Sequence, residues 1–312
     1  AAASPQHPPL ATGTPTDSLF SHPNRDHYSA LMTAPRADVA LITGTSSGMG
    51  MHAAVHLAQR GLHVIATMRD PLRADRLHAA AAEAGGTLGV RALDGVDHGA
   101  AAQLAAALEA EHGGVDVLVN NAGRGNVATA EQLTMEQVRD QLEVNYLAPV
   151  HLTKLVLPGM RQRCRGTILT VTSVGGAVGQ PFAEAYCGAK FAVEGFMQSL
   201  AVVAERFGVR VGVMEPAAVA SDFVANGDRT ERGGPYEPLL AAYLARSSNN
   251  FASAQSAADA GAAIADAVLA ETFRFRWQTS ERATSFVSLS LHDTDGEGVL
   301  SATRQWIADG VV

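Results

Sequence analysis

The feature that most constrains the fold is a regular alternation of short apolar runs with longer helical patterns between residues 38 and 215. The apolar runs are rich in β-branched residues, which is typical of buried strands. The predicted strands are Asp38–Thr43, Leu62–Thr67, Thr87–Leu93, Val115–Asn120, Thr167–Thr172 and Val209–Glu215. The predicted helices are Gly48–Arg60, Pro71–Ala84, Asp97–His112, Thr134–Arg163 and Phe182–Arg206. We expect the helix Thr134–Arg163 to bend near Pro149 or to end at Pro158. Such alternation predicts an α/β fold with a doubly wound parallel sheet that helices cover on both faces.

A glycine-rich loop joins the first predicted strand to the first predicted helix. In this loop Gly44 permits a tight turn, Gly48 lets the backbone approach a pyrophosphate, and Gly50 lets the helix pack closely. Because the start of the helix then faces the anion, this context favours a dinucleotide site over an ordinary glycine-rich turn. The expected cofactor contacts in the loop are Gly44, Ser46, Ser47, Gly48, Met49 and Gly50.

The end of the second predicted strand bears on which dinucleotide is bound. Met68 occupies the position where an NAD-binding protein usually has an acid, and Arg69 follows it. A guanidinium here suits the 2′-phosphate of NADP, so we predict NADP(H) as the preferred cofactor. NAD(H) is the alternative, because Asp70 is adjacent and an exposed Arg69 could equally be a solvated surface charge.

Tyr186 and Lys190 are four residues apart in a predicted helix, so they are neighbours on one helix face. We expect the Lys190 ammonium to lower the pKa of Tyr186, which makes the phenol a general acid or base. Ser173 follows a predicted buried strand, at the edge where an α/β sheet presents its catalytic groups. The spacing alone also suits an amphipathic helix face, but the serine and the dinucleotide loop favour catalysis.

Composition argues against several other classes of protein. A net charge of −8 disfavours a nucleic-acid surface, and 47% hydrophobic with 17% charged residues is typical of a globular protein with a substantial core. No apolar stretch is long enough to span a membrane. Cys164 and Cys187 fit neither a disulfide framework nor a metal site, and we expect Cys187 to be a small packed residue.

Residues 1–31 differ from the rest of the chain because they are rich in Pro, Ser, Thr and His and have no helical or strand period. We interpret them as an extension, disordered or non-native, that precedes a domain formed by residues 32–312. They lack the basic start and apolar middle of a secretory signal, and we expect a cytoplasmic protein.

Together these motifs resemble the short-chain dehydrogenase/reductase family. The resemblance covers about residues 38–223 and rests on Thr43-Gly44-x-x-x-Gly48-x-Gly50, Asn120-Asn121-Ala122-Gly123, Asn145, Ser173 and Tyr186-x-x-x-Lys190, in the family's order and spacing. The residues around Ala66, Ser173 and Tyr186 are most similar to the branch of 17β-hydroxysteroid and retinol dehydrogenases. The resemblance implies a single Rossmann-like domain with a C-terminal substrate-binding extension, here about residues 222–312.

The resemblance also implies roles for individual residues. Tyr186 would exchange a proton with the substrate oxygen, Ser173 would bond that oxygen, Lys190 would keep Tyr186 acidic, and Asn145 would hold a water beside Lys190. Further cofactor contacts are implied at Asp94, Asn121, Ala122, Gly123, Tyr186, Lys190, Pro216, Val219 and Ser221. Ala217 stands where the family has glycine, which puts the local turn in doubt because Ala disfavours positive φ.

The activity implied is the interconversion of a ketone and a secondary alcohol by hydride transfer. We expect a sizeable, largely apolar substrate that is steroid-like, retinoid-like or polyketide-like, and a homodimer or homotetramer formed through the Asn145 and Tyr186 helices. An epimerase or dehydratase relative, which also uses Tyr-x-x-x-Lys, is one alternative. A cofactor-binding regulatory or structural protein on the same fold is another.

The C-terminal part of the chain bears on the substrate. Tyr236–Arg246 is predicted to be a helix, either a lid over the site or a surface helix on the core. Thr272–Trp277 alternates apolar and basic residues and predicts a last strand. Glu281 resembles an acid that contacts the far end of the ligand in the steroid branch, with a solvated loop acid as the alternative. Residues 292–296 lack the full ligand set of a calcium loop and predict a turn.

Overall fold

The computed structural model describes residues 37–221, 228–229, 234–292 and Gln305. The predicted extension at residues 1–31 lies outside these ranges, as do residues 293–296 of the calcium-like loop and residues 222–227 of the predicted substrate-binding segment. The predicted division of the chain into an extension and one domain therefore stays a prediction.

Seven parallel strands form the central sheet. The strands of the described residues are β1 (Val39–Thr43), β2 (His63–Met68), β3 (Leu88–Ala92), β4 (Val117–Asn120), β5 (Asn126–Val127), β6 (Gly166–Val171), β7 (Val209–Glu215), β8 (Val219–Ala220), β9 (Asp228–Arg229), β10 (Gln255–Ser256) and β11 (Arg276–Gln278). The central sheet has the order β11-β7-β6-β4-β1-β2-β3, and the short pairs β5–β9 and β8–β10 lie outside it. All pairings in the central sheet are parallel, which confirms the predicted doubly wound α/β fold.

Helices cover both faces of this sheet. They are α1 (Gly48–Gln59), α2 (Asp75–Glu83), α3 (His98–His112), α4 (Met135–Leu142), α5 (Ala148–Gln162), α6 (Glu184–Glu205), α7 (Glu237–Ala252), α8 (Ala257–Leu269) and α9 (Glu281–Leu291). Successive strand residues point to opposite faces. Ile42 accordingly packs in one apolar cluster with residues of α1 and α8, whereas Leu41 packs in a second with residues of α3, α5 and α6. Both faces of β1 are thus buried, and its unbroken apolar sequence reflects this.

Several predicted boundaries differ from those observed. The predicted helix Pro71–Ala84 is a 3₁₀ turn at Pro71–Arg73 followed by α2, because the Asp70 side chain caps the turn. The predicted helix Thr134–Arg163 is α4, a π-helical turn at Glu143–Leu147 and α5, and it does not end at Pro158. The predicted strand Thr272–Trp277 overlaps β11 only at Arg276 and Trp277, because the chain pairs with β7 from Arg276 to Gln278.

The order of the strands determines where a ligand can bind. The chain passes from β1 to β2 and β3 on one side, and then crosses to β4, β6 and β7 on the other side of β1. The point of reversal lies between β1 and β4. In open α/β sheets a crevice forms there at the carboxyl ends of the strands, which is the usual position of a bound ligand. In the described part of the chain, no helix combines the length and apolar character of a membrane span.

Candidate active site

A cavity of about 560 Å³ opens at the carboxyl ends of β6 and β7. Ser173, Tyr186 and Lys190, which the sequence singles out, all line it. Other walls come from the segment after β4, from α7 and from α9, and include Val127, Val174, Ala218, Tyr243, Phe286 and Leu289. The sheet and α6 thus bring three polar groups to one side of a largely apolar space.

Ser173 and Tyr186 are joined by a side-chain hydrogen bond. Ser173 is buried, and its Oγ accepts a hydrogen bond from the Gly175 N–H at 2.9 Å, so a tight 3₁₀ turn after β6 fixes its orientation. Tyr186 lies in the first turn of α6 and keeps some exposure through the cavity. The two hydroxyls are therefore positioned to contact the same substrate oxygen.

Lys190 lies one turn further along α6, on the face of Tyr186, as predicted. Its side chain is only 4% exposed, and Nζ lies 5.7 Å from the centroid of the Tyr186 ring. Nζ donates a hydrogen bond of 3.1 Å to the carbonyl oxygen of Val171, the last residue of β6. The amine is thereby held beneath the phenol.

The predicted effect of Lys190 on Tyr186 is not observed. Burial raises the pKa of Tyr186, and the hydrogen bond with Ser173 opposes only part of this shift. The direction is opposite to that predicted because removing the phenolate from water raises the pKa more than the hydrogen bond with Ser173 lowers it. Burial also lowers the pKa of Lys190 to about 8, which the neighbouring Glu194 carboxylate opposes.

Asn145 is buried in the π-helical turn between α4 and α5. Its Oδ1 accepts a hydrogen bond from the Arg124 N–H at 3.3 Å, and its Nδ2 donates to the Arg124 carbonyl at 2.9 Å. Gly123 separates Asn145 from the amine: a Cβ at this glycine would lie 2.9 Å from Asn145 Oδ1 and 3.4 Å from Lys190 Nζ. The predicted tetrad of Asn145, Ser173, Tyr186 and Lys190 therefore lies in one region.

A second cavity of about 370 Å³ lies over the glycine-rich loop. It shares Met49, Asn121, Gly123 and Ser221 with the larger cavity, so the two adjoin. The predicted cofactor residues that line it are Gly44, Ser46, Ser47, Gly48, Met49, Gly50, Arg69, Asp94, Asn121, Ala122, Gly123 and Ser221. The structure thus brings most of the predicted cofactor residues to one crevice beside Tyr186.

The walls of this crevice fit a dinucleotide. Gly44 has φ +70°, and a Cβ there would lie 2.8 Å from Ala122 Cα. At Gly50 a Cβ would lie 2.6 Å from the carbonyl oxygen of Gly44, so glycine lets α1 begin close to the loop. The loop is held by Asn121, whose Nδ2 donates to the carbonyl oxygens of Thr43 and Gly44. Asn121 Oδ1 is buried and has no hydrogen-bond partner among the described residues, so it is available to a ligand.

The end of β2 presents Arg69 to the same crevice. Arg69 is exposed, whereas Met68 is buried. The Asp70 carboxylate accepts a hydrogen bond from the Leu72 N–H at 3.0 Å and so caps the following turn instead of lining the crevice. Asp94 lines the crevice from the end of β3, where its carboxylate accepts a bond from the Val96 N–H at 3.3 Å.

The segment that follows β7 lines both cavities. Pro216 and Val219 line the larger cavity and Ser221 lines both cavities. Val219 belongs to β8, which pairs with β10 and so fixes this segment. Ala217 is not among the residues with positive φ, so alanine fits here without strain and the doubt over this turn is removed.

Two cationic side chains of the larger cavity were not predicted. Arg246 of α7 and Arg282 of α9 line it. Glu281 is exposed in the first turn of α9 and is not among the lining residues, so the structure places Arg282, not Glu281, at the cavity. The sequence offered one signal, since Arg282 directly follows Glu281 in the motif that drew attention to this position.

Comparison with known proteins identifies the family. The family model for short chain dehydrogenase matches residues 38–232. Retinol dehydrogenase 8 of Homo sapiens is 35% identical over 288 residues, which cover 88% of this chain and 91% of that protein. The 17-beta-hydroxysteroid dehydrogenase type 1 of Homo sapiens is 35% identical over 284 residues, which cover 86% of this chain and 85% of that protein. A solved short-chain dehydrogenase from Streptomyces avermitilis is 30% identical with a TM-score of 0.72, and the match covers 87% of this chain and 100% of that one.

The matched family region contains both the glycine-rich loop and the tetrad described above. The family uses NAD(P)(H) and acts on small molecules. This chain therefore belongs to the short-chain dehydrogenase/reductase family of oxidoreductases and resembles its retinol and 17β-hydroxysteroid dehydrogenases.

Proposed function

We propose that the protein is an NADP(H)-dependent ketoreductase or alcohol dehydrogenase that interconverts a ketone and a secondary alcohol on a sizeable, largely apolar substrate. The observation that carries this proposal is the position of Ser173, Tyr186 and Lys190 on the wall of the larger cavity. This cavity adjoins the crevice over the glycine-rich loop, so a substrate and a dinucleotide can meet beside the Tyr186 phenol.

The protein groups supply the proton side of the reaction. Because burial raises its pKa, Tyr186 is protonated at neutral pH and can donate to the substrate oxygen during reduction. Ser173 bonds the same oxygen and stabilises the charge that develops on it. The Lys190 ammonium offsets the charge that Tyr186 acquires when it gives up its proton. The reduced nicotinamide, when bound, supplies the hydride. In alcohol oxidation these roles reverse.

Asn145 completes the proposed proton path. Its side chain and Lys190 Nζ face each other across Gly123, where there is no side chain to separate them. A water held there would connect the amine to solvent after each turnover. The π-helical turn that carries Asn145 fits this role, because such turns often occur at functional sites.

The preference for NADP(H) is supported by Arg69. Its guanidinium is at the end of β2, where the 2′ position of the adenosine ribose lies in doubly wound dinucleotide sites. Asp70, the acid that could have favoured NAD(H), is engaged in capping the next turn. The charge available at this position is therefore positive, which suits a phosphate.

The substrate class is supported by the walls of the larger cavity. Its lining residues are mainly aliphatic and aromatic, and its volume suits a molecule of drug size. Retinol and 17β-hydroxysteroids, named in the similar human proteins, are apolar molecules of this kind. Arg246 and Arg282 also line the cavity, so a substrate with a second oxygen function besides its reacting carbonyl would fit.

The proposal is tested by NADPH consumption against a panel of steroid, retinoid and polyketide-like ketones. Turnover of one or more of these ketones, with NADH a much poorer reductant, is the expected result. Tight NADPH binding without turnover of any ketone would instead favour a cofactor-binding regulatory or structural protein.

A further inference from the structure

A buried cluster of charged side chains lies behind the proposed catalytic lysine. Glu194, one turn after Lys190 on α6, is 3% exposed, and Glu215, the last residue of β7, is fully buried. Arg276 of β11 contacts both: its Nη1 lies 2.5 Å from Glu194 Oε2 and also bonds Glu215 Oε1. The cluster thus joins α6 to two neighbouring strands of the sheet directly beneath the site.

Glu194 also holds the end of β6. Its Oε1 accepts a hydrogen bond of 2.8 Å from Thr172 Oγ1. Thr172 lies between Val171, whose carbonyl accepts the Lys190 hydrogen bond, and Ser173. The Glu194 carboxylate therefore fixes Thr172. This residue lies between the Val171 carbonyl, which binds the Lys190 amine, and Ser173.

The backbone that follows Ser173 packs directly against the Glu194 carboxylate. A Cβ at Gly176 would lie 2.8 Å from Glu194 Cδ, so the 3₁₀ turn after Ser173 can lie against the carboxyl group only because residue 176 is glycine. Gln278 completes the cluster, since its Nε2 donates to Glu215 Oε2 at 2.5 Å. Each oxygen of the two carboxylates thus has a partner.

The charges in the cluster do not cancel among themselves. Two buried carboxylates face one guanidinium, and the Glu194 carboxylate also acts on the buried Lys190 ammonium one turn earlier on α6. Burial and the Glu215 carboxylate raise the pKa of Glu194, and Arg276 opposes this shift. On the other side of the amine, the Tyr186 ring centroid lies 5.7 Å from Nζ. When both carboxylates are ionised, the excess negative charge of the pair acts on Lys190, where Glu194 opposes the lowering of the pKa by burial.

We propose that Glu194 is a positioning residue: its buried carboxylate helps to keep Lys190 an ammonium above neutral pH and holds Ser173 in register with the amine. The proposal rests on the proposed function, in which Lys190 and Ser173 serve the Tyr186 proton transfer. Loss of the carboxylate's charge would let Lys190 lose its proton at lower pH, because the charge that opposes desolvation of the amine would be gone.

The sequence permits a direct test, because it contains only two lysines, Lys154 and Lys190. Lys154 is exposed on α5 and serves as an internal reference. In protein labelled with ¹³C at the lysine ε-carbon, NMR titration then reports the pKa of Lys190 separately from that of Lys154. The titration needs neither substrate nor turnover, so it remains informative if the proposed function fails.

The variant to compare is Glu194→Gln, with Glu205→Gln at the exposed end of the same helix as its matched control. Glutamine keeps an acceptor for Thr172 and leaves one carboxylate for Arg276, so we expect the variant to fold with an unchanged or higher Tm. Lys190 should titrate roughly one pH unit lower than in the wild type, while Lys154 and the Glu205→Gln protein stay unchanged.

Activity gives a second readout. With Lys190 titrating about one unit lower, the fraction of ammonium at pH 8 falls about fivefold, so kcat in Glu194→Gln should fall by a similar factor there and approach the wild-type value at lower pH. An unchanged Lys190 titration, or a kcat lowered equally at all pH values, would overturn the proposal. Failure of Glu194→Gln to fold would also overturn it, because the charge would then serve the fold and not the amine.

Discussion

At the scale of single residues, burial acts in opposite directions on the two groups of the proposed proton transfer. It raises the pKa of Tyr186 and lowers that of Lys190 to about 8. At neutral pH the phenol is therefore a proton donor and the amine is still largely an ammonium. These are the protonation states that the proposed donation of a proton to a ketone oxygen requires.

The preference for NADP(H) can be tested at a single residue, Arg69. Replacing Arg69 with Gln would remove the proposed charged contact to a 2′-phosphate, and a contact of this kind is worth about 1.5–3 kcal/mol. We expect the KM for NADPH to rise about tenfold to hundredfold, with little change in the KM for NADH. Steady-state kinetics with both cofactors measures this.

The matched control is Arg73→Gln, because Arg73 is an exposed arginine on the following turn that does not line the crevice. Equal loss of NADPH and NADH affinity in Arg69→Gln would show that the guanidinium does not read the phosphate.

At the scale of elements, helix α7 forms the outer wall of the larger cavity. Tyr243, Arg246 and Ser247 line the cavity from this helix. An apolar cluster attaches the helix: Leu240 and Tyr243 pack against Phe182, and the Phe182 and Tyr243 rings lie 5.5 Å apart. Phe182 lies two residues before α6, so α7 and α6 share one anchor.

Leu240→Ala tests whether this anchor shapes the substrate site. The substitution leaves a buried cavity under α7 and costs about 2–5 kcal/mol where the surroundings cannot collapse. We expect the KM for a ketone substrate to rise by at least about fivefold as the wall loosens, with the KM for NADPH nearly unchanged. Leu269→Ala, at an exposed leucine of α8, is the control. A Leu240→Ala enzyme with wild-type KM values would exclude α7 as a substrate wall.

At the scale of the whole molecule, features that depend on neighbouring residues in the chain could be predicted from the sequence. Local signals sufficed where strands are buried on both faces and where glycine is required, as at Gly44 with its positive φ. The i, i+4 spacing of Tyr186 and Lys190 likewise predicted their shared helix face.

Contacts between distant segments could not be predicted in this way. Arg276 meets carboxylates 61 and 82 residues earlier in the chain, and no local pattern signals that pairing. Burial also results from contacts between distant segments. The pKa of Tyr186 depends on surroundings that form only when the chain has folded, so the sequence suggested the wrong direction for its shift. Helices α8 and α9 follow no motif and were not predicted. The position of Arg282 at the cavity was missed for the same reason, because Arg282 lies on α9.

The exposed face of α6 bears on assembly. Val202 and Val203 are 70% and 59% exposed, and Phe191 on the same helix is 46% exposed. Large apolar side chains of this kind, grouped on one helix, favour a contact between copies. We expect a homodimer or homotetramer, and a Val202→Glu/Val203→Glu protein of lower mass by light scattering. Leu72→Glu, at an exposed leucine of the turn before α2, is the control. A monomeric wild type would contradict this expectation.

The central claim is that Tyr186 donates the proton while the substrate carbon receives a hydride. It is tested most directly with NADPH carrying deuterium at C4 of the nicotinamide and a ketone from the panel, in the wild type and in Tyr186→Phe. We predict deuterium on the carbinol carbon of the wild-type product, and a rate about 10²–10⁴-fold lower in Tyr186→Phe with NADPH binding retained. A Tyr186→Phe enzyme that transfers deuterium at the wild-type rate would contradict the account.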